Sequence, residues 1–181
     1  MEIILFLVLL VVPLDAFALD PGALMNEIRQ TGARETLTSL WSEKRYMTDW
    51  FAILEGVKTG SDGWLAVAAA LKPAADAGMS TDLNAALAAA LPKKAAEVLV
   101  IVAKEKKTGF HVSKVCTNPF IEETDERVLT FLQQTEKAVA IASVSKEVEQ
   151  TRAACLRKLK AVRKDVATRR KVTNRGSGRS K

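Results

Sequence analysis

The sequence has a single histidine, His111, and only two cysteines, Cys116 and Cys155. General acid-base chemistry usually draws on histidine, and a zinc site needs three or four ligands. His111 with Cys116, Cys155 and Asp125 makes no recognised ligand spacing, so the sequence calls for no metal and no cofactor. Two cysteines are also too few for a disulfide scaffold. No glycine-rich loop of the kind that cradles phosphate is present. After Leu14 no apolar run approaches the roughly twenty residues that a membrane-spanning helix requires.

What the sequence does have begins at the N-terminus. Ile3 to Leu14 is apolar throughout, and Asp15 is followed by Ala16-Phe17-Ala18. This is the apolar core and small-residue cleavage pattern of a secretory signal, although Glu2 stands where such signals normally carry Lys or Arg. The expectation is a signal peptide over 1–18 and a periplasmic or secreted protein starting near Leu19; an uncleaved anchor or a different start is the alternative. The remainder suits one helical domain over 19–172, followed by a disordered basic tail over 173–181. In an oxidising compartment an even pair of cysteines is usually joined, so a Cys116–Cys155 bond is expected, against two buried free thiols. Closing a loop of roughly 40 residues stabilises a fold by about 4 kcal/mol in the chain-entropy model.

Helical periodicity dominates the chain. Asp20-Pro21 starts a first helix that Gly32 stops, and Leu37, Leu40 and Trp41 follow at helical spacing. Tyr46, Trp50, Ile53, Leu54 and Val57 line one face of a third helix. Trp64 to Leu71 forms a fourth, ended by Pro73. A fifth runs from Ser80-Thr81-Asp82 through Leu83, Leu87 and Leu91 to Pro92, which opens a sixth bearing Ala95, Val98, Leu99 and Val102. Thr108 to Thr124 lacks periodicity and reads as a tethered loop. Thr124-Asp125-Glu126 starts a seventh helix, and Ser145 caps an eighth in which Val148, Cys155, Leu159, Val162 and Val166 form an inward seam. The fold class is therefore all-α: a compact stack of antiparallel α-hairpins with about eight helices. The echo of Ala68-Ala69-Ala70-Leu71 in Ala88-Ala89-Ala90-Leu91 hints at a solenoid-like repeat. Helical spacing puts Trp41, Trp50, Phe51 and Trp64 in the core rather than in a ligand groove.

Several segments together resemble uncharacterised exported helical proteins of Gram-negative bacteria: Trp64-Leu65 through Ala75-Asp76-Ala77, Ala85 through Pro92 with Val98-Leu99, Val115-Cys116 with Pro119-Phe120-Ile121-Glu122, and Cys155-Leu156. The resemblance covers most of the chain after the signal. It implies a periplasmic location and no catalytic activity.

Three sets of residues carry possible chemistry. Ser143-Val144-Ser145-Lys146 matches S-x-x-K, and Lys58-Thr59-Gly60 and Lys107-Thr108-Gly109 match K-T-G, as in penicillin-binding enzymes. Their order is inverted and S-D-N is missing, so they read as caps and turns. Glu122, Glu123, Asp125 and Glu126 invite a glycosidase or calcium reading, but acids in a first helical turn follow from the macrodipole alone. Finally, eleven of the 27 basic residues lie from Arg157 onward against a single acid, Asp165, and the chain before them carries more acid than base. Arg163, Lys164, Arg169, Arg170 and Lys171 in this tail could touch a polyanion, which outside the cytoplasm means anionic lipid, lipopolysaccharide or stray nucleic acid; a solvated helix end is the alternative.

The expectation from sequence is a non-catalytic periplasmic protein-binding module with an envelope protein as partner and no specific nucleic acid. Its candidate recognition loop holds Phe110, His111, Pro119, Phe120 and Glu122, pinned by Cys116 to the core. An immunity protein that blocks a cell-wall-degrading toxin through an acidic face is one alternative. A hydrolase uniting His111 with Glu122 or Glu123 is another.

Overall fold

In the computed structural model, residues 19–42 and 45–177 are described, with side chains up to Lys171. The proposed signal peptide over 1–18 lies outside them, as do residues 178–181. Asp20 caps α1 (Pro21–Thr31), its carboxylate accepting from the Ala23 amide at 2.7 Å, and Pro21 occupies the first helical position. Gly32 turns the chain into α2 (Ala33–Leu40), and Leu24, Ile28, Leu37 and Leu40 of the two helices are buried.

A five-residue π turn, Tyr46–Trp50, then feeds α3 (Phe51–Thr59). Trp50 is fully buried and donates its indole N–H to Asp82 at 3.1 Å, whereas Trp41 and Phe51 stay 46% and 45% exposed. The expected burial of Trp41 and Phe51 is thus corrected: with Tyr46 between them, they form an edge-on row at the surface, with centroids 4.3 and 5.8 Å apart. Trp64 is half-buried against the core.

Gly60 in the left-handed region (φ 78°) ends α3, and α4 (Asp62–Leu71) follows with a 3₁₀ turn at Lys72–Ala74. Gly56 lets α4 approach, because a Cβ there would stand 2.5 Å from the Trp64 ring. Asp76, accepting from Met79 N at 2.8 Å, caps α5 (Ala77–Ala103). As expected, two helical stretches of α5 meet near Pro92; the junction is a kink at Lys94 (φ −138°, ψ 49°), where the Lys93 ammonium reaches the Lys58 carbonyl at the end of α3.

Two single-turn helices follow, α6 (Glu105–Thr108) and α7 (Val112–Val115), inside or beside the stretch expected to be irregular. Then come α8 (Asp125–Ile141) and α9 (Lys146–Ser177). The last helix continues beyond the expected boundary at Thr173. Arg152 at its start donates to the Ala140 carbonyl, Arg163 meets Glu136 and Arg170 approaches Glu126, so α8 and α9 form an antiparallel hairpin.

The chain is all-helical, with nine α-helices and no strand among the described residues. Its centre is α5, which packs on α3, α4, α7, α8 and α9. Alanine at 86, 88, 90 and 95, all buried, lets those neighbours come close from several sides. In a solenoid each repeat meets only its neighbours in sequence; this spine-and-shell arrangement is different.

Candidate functional site

Cys116 follows α7 directly, and Cys155 sits on the inward face of α9 beside Leu159. Both are fully buried and joined, with Cα atoms 5.2 Å apart, within the usual span for a disulfide. The bond fixes the start of the segment leading to α8. Within it, Asn118 accepts from the Phe120 amide at 3.1 Å and donates to the Phe120 carbonyl at 3.0 Å, closing a local turn. The Phe120 ring then meets Phe131 of α8 edge-on at 5.0 Å. At the far end the Thr124 hydroxyl caps α8 by accepting from Arg127 N, and Glu123 pairs with Arg127 at 3.1 Å.

This held segment presents Ile121 at its tip with 97% of its surface exposed. Pro119, Phe120, Ile121, Glu122 and Glu123 line one shallow cleft. The structure therefore brings together Pro119, Phe120 and Glu122 of the expected recognition loop and adds Ile121. It separates the other two. Phe110 is fully buried, so its place in a recognition surface is corrected: its ring packs under Lys72, whose ammonium stands 5.5 Å from the centroid. His111 is exposed and its Nδ1 lies 2.6 Å from Glu105, a different carboxylate from the Glu122 or Glu123 that a hydrolytic reading needs.

The penicillin-binding motifs lie at separate helix ends. Lys58-Thr59-Gly60 closes α3 and Lys107-Thr108-Gly109 closes α6, both glycines having positive φ, while Ser145 and Lys146 start α9. The Ser145 hydrogen bond holds the Glu147 carboxyl below its usual range. No three His, Cys, Asp or Glu side chains among the described residues are grouped to hold a metal ion.

The structure also divides the basic tail. Arg163 makes a forked contact with Glu136 at 2.6 and 3.2 Å, and that carboxylate raises its pKa; Arg170 lies 3.8 Å from Glu126. Both therefore brace the α8–α9 hairpin. Lys164 and Lys171 are exposed.

One pair escaped sequence reasoning. Lys72, at the end of apolar α4, is buried with no carboxylate partner among the described residues; its ammonium donates to the Ser80 hydroxyl and burial pushes its pKa down. The only sequence signal is a lysine between Leu71 and Pro73, which reads equally well as an exposed helix end. Trp41 borders a second cleft with Arg34, Leu37, Thr38 and Met79.

No protein-family model, curated protein or solved structure matches this chain.

Proposed function

We propose that this chain is an exported, non-catalytic protein-binding module of the bacterial envelope, and that its contact element is the segment Pro119 to Glu123. The observation that carries this reading is Ile121: a large apolar side chain, 97% exposed, on a segment tied down at both ends. A single exposed apolar residue is ordinary on a mobile loop. On a segment already fixed by a disulfide, a side-chain turn and a ring contact, ordering entropy is largely lost before binding, and an apolar tip then gains affinity by preorganisation.

The inhibitor reading needs an uncompensated acidic face. Of the nearby carboxylates, Glu123 is set against Arg127 and Glu126 against Arg170, which favours an apolar contact over an acidic plug. A photo-crosslinking residue placed at Ile121 should give one discrete adduct in the envelope. Phe120→Ala, which frees the segment from Phe131, should reduce it. The same pattern of adducts from a crosslinker at Arg34 on α2 would remove the reading.

A further inference from the structure

Arg157, Lys160, Lys164 and Lys171 follow one another at intervals of three, four and seven residues along α9 and are all exposed. Such spacing aligns side chains on one face of a helix. Cys155, Leu159 and Val166 on the opposite face are buried, so the row points straight away from the core. It extends over roughly 21 Å at 1.5 Å per residue. Lys146 and Gln150 continue the same line toward the N-terminus, where Glu149 borders it; between Arg157 and Lys171 no carboxylate falls on it. The acids of α9, Glu147, Glu149 and Asp165, sit on the flanks, and Glu149 is engaged by Arg152. None of the four cations in the row is ion-paired among the described residues, in contrast to Arg163 and Arg170 beside them.

Helix electrostatics do not account for this row. The macrodipole favours cations only within the last turn, whereas Arg157, Lys160 and Lys164 lie well inside a helix that runs to Ser177. Like charges three and four residues apart repel rather than support the helix. The row is also convex. It forms the outer ridge of a hairpin and cannot enclose a small ligand, but it can lay several ammonium and guanidinium groups on a plane of negative charge at once. No large apolar side chain interrupts it, so contact would be with headgroups and not by insertion.

We infer that this ridge docks the protein on an anionic phospholipid bilayer, independently of any contact made by Ile121. The test uses the full chain and sedimentation with vesicles of phosphatidylcholine, with and without phosphatidylglycerol. The phosphatidylcholine vesicles register any binding by the apolar N-terminal residues. Expected is binding that requires phosphatidylglycerol and falls with added salt. Lys160→Gln with Lys164→Gln should weaken it about thirtyfold, at the usual gain per basic residue near such a surface. Arg29→Gln with Arg34→Gln, the same charge change on α1 and α2, should leave it unaltered, as should Ile121→Asp. Melting temperatures should match that of the parent, since all these side chains are solvent-facing. Absence of a phosphatidylglycerol requirement, or equal weakening by the two charge pairs, would overturn the inference. So would loss of binding to a single-stranded oligonucleotide in the ridge variant without any vesicle binding by the parent.

Discussion

Reduction of the Cys116–Cys155 bond should separate the stability of the helices from the order of the segment they hold. The cysteines are 39 residues apart. The chain-entropy model then gives about 4 kcal/mol of stabilisation from closing that loop, a large part of the roughly 5–15 kcal/mol that holds a typical domain together. With a urea slope near 2 kcal/mol/M, the unfolding midpoint should drop by about 2 M when the same protein is compared under oxidising and reducing conditions. Helical circular dichroism before the transition should be unchanged, because α8 and α9 are also joined by Arg163–Glu136, by Arg152 to Ala140 and by the buried seam of Val128, Leu132, Val139, Leu159 and Val166. The local effect should appear elsewhere: the amides of Thr117 and Phe120 lose protection from hydrogen exchange while those of 128–139 keep it. A midpoint shift below about 0.5 M, or two thiols titrating in the oxidised, denatured protein, would refute the reasoning.

Asp82→Ala should destabilise the fold by about 1–3 kcal/mol, because it strands the buried Trp50 indole N–H; added to Trp50→Phe it should cost far less, which a double-mutant cycle in urea would detect. Gly56→Ala brings a methyl against the Trp64 ring and should cost about 1–3 kcal/mol through overpacking, offset by up to about 1 kcal/mol of helix propensity, with a net loss in melting temperature. Burial lowers the Lys72 pKa below 10.5, so the unfolded chain holds the proton more tightly and this group's contribution to stability rises with pH through the interval between the two values. Lys72→Met should therefore be at its best relative to the parent near neutral pH and lose that advantage in alkali; a pH-independent difference in melting temperature would exclude the effect.

Much of the element map was legible because it depends on local chemistry. Asp20 and Thr124 cap helices through their own side chains, and Gly32, Gly60 and Gly109 end helices where a positive φ is required. The joined cysteines followed from pairing logic and from the seam that turns Cys155 inward. What was not legible depends on helix ends or on distant partners. Trp41 stands at the C-cap of α2, and Phe51 follows the buried Trp50 by one position, off the face that Ile53, Leu54 and Val57 share, so neither reaches the core. Phe110 sits in an aperiodic stretch and is buried only because Lys72 and the core cover it. The division of the basic residues into braces and ridge needed the position of α8, since Glu136 and Glu126 decide it. Within the candidate site, Pro119, Phe120 and Glu122 were readable, but the outward aim of Ile121 depends on the Asn118 turn and the Phe120–Phe131 contact.

The Cys116–Cys155 bond also makes a covalent ring of everything between, including the Pro119 to Glu123 segment and the whole of α8. A protease that cuts the exposed tip beside Ile121 would open the ring without releasing either fragment. The nicked chain would keep its mass until reduced, and α8 would remain in its seat against α5 and α9. An exposed tip of the molecule is thus a place whose cleavage the protein can survive in one piece.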